Sequence, residues 1–227
     1  MFTSLKYQIS LMLSQKNFKV CFTLMMLICT VCPCYYFICN IGNDVSTLVA
    51  PEYAYVLNFY SPFAQILAFL LPVIASIPFS NSYILDRELN IDLILRNKLG
   101  NTNYFVSKAI TSAIAAFLVF LIPLIVNICI NEIVFPKTYL DANGQDFGSL
   151  LYSEYIYSEE EKEYYSVNFF LYHPQFYNLS IAFLTAVYAA ICGLTAFSVS
   201  FFVKRFRYFT CVPMMILSLL GNIGAIL

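Results

Sequence analysis

An all-α fold, a bundle of helices that repeatedly crosses a membrane, is what this sequence predicts, and three observations carry the prediction. Hydrophobic residues make up 60% of the 227 and charged residues 11%, against roughly half and a quarter in soluble domains. A chain this apolar cannot bury its side chains in one globular core, which excludes a soluble enzyme. The apolar residues gather into long uninterrupted stretches. The charges between those stretches are sorted by sign.

The stretches set the elements. A helix needs roughly 20 mostly apolar residues to cross the hydrocarbon layer, and five segments qualify: 20–41, 62–83, 109–130, 179–203 and 208–227. None contains Asp, Glu, Lys or Arg, and Lys204 and Arg205 lie just beyond the fourth. Pro33, Pro72, Pro78, Pro123 and Pro213 fall inside them, where neighbouring helices tolerate kinks that would break a soluble helix. The first stretch is too long for a signal peptide and lacks a small-residue cleavage site after it, so it is expected to remain as a span.

Orientation follows from the charges. With the N-terminus inside, the inner segments hold Lys6, Lys16, Lys19, Arg87, Arg96, Lys98, Lys108, Lys204, Arg205 and Arg207, leaving only Lys137 and Lys162 outside. The same arrangement keeps only Asp86, Glu88 and Asp92 of the 13 acids inside. Basic inner loops are the established orientation signal, so a multi-pass protein of the cell membrane with a cytoplasmic N-terminus is expected. With a net charge of -1, no overall basic field points to nucleic acid.

Segment 1–19 precedes the first span. Its Phe2, Leu5, Ile9, Leu11, Met12 and Leu13 alternate with Lys6, Gln8, Ser10, Gln15 and Lys16 at roughly helical spacing. That pattern predicts an interfacial helix with its apolar side among the headgroups and its lysines near anionic lipid. In the inner loop 84–108, Ile84, Leu85, Leu89, Ile91, Leu93, Leu95 and Leu99 gather on one broad side of a helix. Asp86, Arg87, Asn90, Asn97 and Lys98 gather on the other, while Glu88, Asp92 and Arg96 intrude on the apolar side. Gly100 is placed to stop this helix, and Asn101 or Thr102 to cap the next. Periodicity alone leaves a short amphipathic helix and a solvated loop both open.

These residues carry a family resemblance. Arg87-Glu88, then Ile91-Asp92-Leu93-Ile94-Leu95, then Lys108 opening a span, resembles the coupling-helix region of the permeases of type-two ABC exporters. The interfacial segment before the first span and the long outer loop 131–178 extend the resemblance over most of the chain, as a pattern rather than an exact signature. The sequence departs from the family at Asn90, where a glycine is usual, and at Asn97-Lys98-Leu99-Gly100, where a proline commonly follows the leucines. The family usually has six spans against the five seen here, so either a shortened chain or a re-entrant last stretch is expected.

The resemblance implies a permease subunit that forms the translocation pathway of an ATP-driven exporter, as a homodimer or beside a second permease. A separate cytosolic ABC ATPase would bind the ATP and push on the coupling helix. In that reading Asp86, Arg87, Glu88, Asp92 and Arg96 contact the ATPase, and Leu89, Leu93 and Leu95 anchor the coupling helix to the bundle. No glycine-rich run ends in Gly-Lys-Ser or Gly-Lys-Thr in this sequence, so the usual phosphate cradle is missing. No cofactor in this chain and no catalytic residue are expected.

Other classes stay open as alternatives. A non-transporting immunity or sensory protein would suit the outer loop, which is acidic through Glu159, Glu160, Glu161 and Glu163 and rich in tyrosine. A metal carrier would use Cys32-Pro33-Cys34, since adjacent thiolates suit soft monovalent copper. Cysteine in an apolar helix otherwise behaves as a small hydrophobe, and no disulfide framework or metal site is expected. The one histidine, His173, precedes Pro174 near the outer surface. Gln65, Asn81, Asn127 and Asn222 within the spans are expected to join helices rather than bind substrate.

Overall fold

The computed structural model describes residues 2–39, 41, 51, 54–58, 61–135, 173–203, 210, 212–213 and 215–216. Its seven helices are α1 (Phe2–Ser14), α2 (Lys16–Cys39), α3 (Pro62–Ser76), α4 (Ser82–Glu88), α5 (Asp92–Leu99), α6 (Asn101–Val134) and α7 (Pro174–Val199), and no strand occurs among the described residues. The described residues form an all-helical fold. Among the described residues three helices are long and apolar enough to cross a membrane: α2, α6 and most of α7 (Gln175–Val199).

The second predicted span departs from expectation. In place of one helix over 62–83, α3 ends at Ser76 after 15 residues, and α4 begins at Ser82. Fifteen residues rise about 22 Å, short of a hydrocarbon layer of about 30 Å. Pro78 supplies the reason, because a proline disfavours helical backbone at the residue before it and brings no N–H of its own. Ser80 Oγ donates to the Ser76 carbonyl at the break. The predicted spans 109–130 and 179–203 correspond to α6 and α7, although α7 begins at Pro174 and ends at Val199. Most of the fifth stretch and residues 136–172 of the expected outer loop lie outside the described residues. Within the fifth stretch, Thr210 Oγ1 donates to Asn81 Oδ1 at 3.3 Å.

The chain divides into two compact units. The first comprises Met1–Met26, Gln65–Pro123 and Leu184–Leu227. Three of its helices approach closely at Gly193, where an added Cβ would lie 2.9 Å from Ala116 Cβ, 3.1 Å from the Ser112 carbonyl oxygen and 3.3 Å from the Ala75 carbonyl oxygen. Ser112 Oγ donates to the Gly193 carbonyl at 3.0 Å. Small residues of this kind let apolar helices gain dispersion contact where no hydrophobic force drives them together.

In the same unit one stripe of α1 faces the protein. Ser4, Gln8 and Met12, spaced four apart on one face, are buried, while Tyr7 and Leu13 are exposed. The hydroxyls of Ser4 and Ser107 share a hydrogen bond at 2.9 Å. A stripe opening on a small serine allows closer approach to α6 than the leucine side would.

The second unit comprises Leu27–Ala64 and Leu124–Phe183. Pro33 lies inside α2 and has no N–H to give the carbonyl four residues back, that of Cys29. Asn127 of α6 fills the vacancy, its Nδ2 donating to the Cys29 carbonyl at 2.7 Å. The same amide accepts from the Val56 N–H through Oδ1 at 3.1 Å. Ala54, Tyr55 and Val56 are buried, so these three residues are packed against protein.

Gly193→Val is expected to lower the melting temperature of the purified protein in lipid nanodiscs more than Gly193→Ala does. Overpacking of well-packed sites costs about 1–3 kcal/mol, and the two facing carbonyls cannot move aside as a side-chain tip would. Equal melting temperatures for both variants and the parent would contradict the close approach.

Candidate functional site

The α4–α5 segment is built around a break that the sequence tolerates for a stated reason. Asn90 has φ +55°, the left-handed region that glycine occupies freely and asparagine several times more often than most other residues. The Asn90 N–H bonds the Arg87 carbonyl at 3.1 Å, and the Ile91 N–H bonds the Asp86 carbonyl at 3.0 Å. That pair of bonds closes α4 in a Schellman motif. Gly100, at φ +82°, ends α5 with its N–H on the Arg96 carbonyl at 2.9 Å, and α6 starts at Asn101.

One ion pair and one cation–π contact fasten the segment to the first turns of α6. Lys108 Nζ lies 2.8 Å from Asp86 Oδ2, and the Tyr104 hydroxyl donates to the same oxygen at 2.6 Å. Lys108 is fully buried, and its ammonium also sits over the rings of Tyr104 and Phe79, at 5.3 and 5.7 Å from their centroids. Farther along, Arg96 Nη2 donates to the Tyr83 hydroxyl at 2.8 Å and lies 3.3 Å from Asp92 Oδ2. The Arg96 guanidinium stacks over Phe105 at 4.8 Å and Tyr83 at 5.6 Å.

An aromatic floor supports both contacts. Tyr83, Phe105 and Phe201 meet edge to face or tilted, with centroids 4.9 to 5.7 Å apart, and Phe197 joins Phe201 at 5.1 Å. Such pairs add about 0.5–1.5 kcal/mol each beyond their buried area.

The segment's residues fall only in part as expected. Asp86 is buried in its ion pair and offers no surface to a partner. Arg96 and Asp92 are bonded to each other, and Arg96 also to the aromatic floor. Of the expected anchors, Leu95 packs against the Tyr83, Tyr104 and Phe197 cluster, whereas Leu89 and Leu93 are 66% and 65% exposed. Ile94 is equally open and Ile91 partly so, with Glu88 and Lys98 exposed beside them. Arg87 lies over the Tyr83 ring at 5.9 Å. Asp86, Arg87 and Arg96 turn inward because the buried Lys108 and the rings of Tyr83 and Phe105 receive them there. Leu89, Leu93 and Ile94 are left outside.

Asp86 and Lys108 stand 22 positions apart in sequence, so periodicity could not pair them. Tyr104 carried no signal beyond its place at the head of an apolar helix. Cys32 and Cys34 do not converge: Cys32 is buried with its thiol toward the Ala54 carbonyl at 3.5 Å, and Cys34 is exposed. Among the described residues no group of three or more His, Cys, Asp or Glu side chains could hold a metal ion. No family model matches the chain, and no curated protein or solved structure matches it.

Lys108→Met is expected to destabilise the protein by about 3–5 kcal/mol, because Asp86 is left charged and buried without its counter-ion. The double variant Asp86→Leu, Lys108→Met should recover most of that loss. Thermal unfolding of the four members of the cycle in nanodiscs checks this, and simple additivity of the two single changes would refute a direct pairing.

Proposed function

We propose that the chain is the permease subunit of an ATP-driven exporter of the type-two ABC class, lying in the cell membrane with its N-terminus in the cytoplasm. In this reading α4 and α5 form the coupling segment on the cytoplasmic side, and a separate cytosolic ABC ATPase binds ATP and docks there. The observation that carries the reading is the construction of that segment. Asp86 ties it to Lys108 of α6 at 2.8 Å, while Leu89, Leu93 and Ile94 project from it. A push on the projecting residues reaches a span-length helix through a short, buried, multiply bonded contact.

The departure at Asn90 also fits. Its φ of +55° is one that a glycine, usual in the family at this place, adopts without cost. Charge supports the side of the membrane, because Arg87, Arg96, Lys98 and Lys108 all fall in this segment or at its edge. The face offered to the ATPase is aliphatic, rimmed by Glu88 and Lys98, in place of the charged face read from the sequence. An exposed apolar patch with a polar rim is a common mark of a protein interface.

Leu93→Asp with Ile94→Asp is therefore expected to abolish co-purification of an ATPase subunit in mild detergent, while the melting temperature stays within a few degrees of the parent because both side chains are exposed. Lys98→Glu should weaken co-purification less, since a rim charge contributes little to affinity. Retention of the ATPase by the double aspartate variant would overturn the reading.

A further inference from the structure

Charge is distributed very unevenly in the unit formed by Met1–Met26, Gln65–Pro123 and Leu184–Leu227. It holds ten of the chain's 12 Lys and Arg but only three of its 13 Asp and Glu. Lys108 takes Asp86 and Arg96 takes Asp92, so Glu88 is the one acidic side chain left in the unit for the other eight cations. Three of the eight, Lys6, Lys16 and Lys19, lie on α1 and the first turn of α2, and all three are exposed. No Asp or Glu occurs in the sequence before Asp44.

The two helices form one tied piece. The Gln15 N–H between them bonds the Leu11 and Met12 carbonyls at 3.2 and 3.1 Å, and the Lys19 N–H bonds the Gln15 carbonyl at 3.3 Å. The Ser4, Gln8 and Met12 stripe holds α1 to the protein, with Ser4 bonded to Ser107. On the opposite side Lys6, Ser10 and Leu13, at the four- and three-residue steps of one helix face, are all exposed. Lys16, Lys19 and Val20 lie on one face of α2 by the same spacing, and they are exposed too. Tyr7, Leu13 and Val20 leave 50%, 50% and 65% of their surface open beside the lysines.

We propose that this face, Lys6, Lys16 and Lys19 with Tyr7, Leu13 and Val20, is a docking surface for anionic phospholipid, each lysine taking a headgroup phosphate of its own. A soluble anion would leave the apolar side chains in water, and a zwitterionic lipid brings no net charge to the lysines. An anionic phospholipid answers both needs, because its acyl chains cover the apolar side chains while the flexible lysine stems carry their ammonium groups to the headgroups. The unit also contains one end of each span-length helix, α2, α6 and α7, which puts a leaflet beside it. The proposal needs neither the exporter reading nor an ATPase.

The chain has no tryptophan, so Tyr7→Trp places a single indole on this face. The full chain carrying that change is reconstituted in liposomes of equal parts phosphatidylglycerol and phosphatidylcholine, with quenching bromines on the acyl chains of one lipid or the other. Brominated phosphatidylglycerol is expected to quench the indole more strongly, with an association about fivefold in its favour, the worth of one lysine at an anionic surface. Adding Lys6→Gln, Lys16→Gln and Lys19→Gln together should bring the two lipids level, whereas Lys6→Arg, Lys16→Arg and Lys19→Arg should keep the preference. The proposal is overturned if both lipids quench equally, if neither quenches, or if the glutamine variant keeps the preference. An arginine variant that loses the preference would also overturn it, since packing and not charge would then decide. None of these outcomes touches the exporter reading, whose test is co-purification of the ATPase.

Discussion

Within helices apolar enough to lie in a membrane, a polar group that loses its partner has no water to turn to, and this constraint organises both units of the protein. Pro33 frees the Cys29 carbonyl, and Asn127 answers it from another helix. Lys108 lies in a buried place, where Asp86 receives its ammonium along with the ring faces of Tyr104 and Phe79, and the Tyr104 hydroxyl donates to Asp86. In each case one side chain closes a local deficit and, in doing so, fixes how two distant parts of the chain meet. The packing at Gly193 works with the same constraint, since close backbone approach lets Ser112 reach a carbonyl on α7. Each such bond is worth little in isolation, but leaving its partner buried and unmade costs about 1–3 kcal/mol or more.

The α4–α5 segment illustrates how the same rule overrides amphipathic patterning. A surface helix ordinarily turns its leucines inward and its charges outward. Here Tyr83, Phe105 and Phe201 form a floor with quadrupolar faces, which suits a guanidinium better than an aliphatic chain. Arg96 takes that place, and Asp86 is drawn in by Lys108. The segment therefore carries its ionic bonds on the side facing α6 and its unused apolar surface on the side facing away. The rigidity of the contact and the availability of the surface arise from one cause.

Much of the local architecture was legible in the sequence. Three of the five long apolar runs form helices of spanning length, Gly100 ends one helix at positive φ, and the next starts immediately after it. Composition and 3.6-residue spacing are enough for such features because they depend on neighbours along the chain. The shortened α3 was harder to read, since Pro78 sits in a run whose hydropathy alone looks continuous. The facing of α1 and the inward charges of α4–α5 were not legible at all. Both depend on residues far along the chain, Ser107 for Ser4 and Lys108 for Asp86. An amphipathic pattern identifies two sides of a helix, but it does not say what stands opposite each.

The pairing of Pro33 with Asn127 has a consequence for how this sequence can vary over time. A proline at position 33 is tolerable as long as position 127 supplies a donor to the carbonyl it exposes, and an amide at 127 loses half its purpose once position 33 regains an N–H. The two positions, 94 residues apart, thus form one inherited unit. Drift at either is constrained by the other, and a lineage that replaced the asparagine first would pass through a less stable intermediate than one that replaced the proline first.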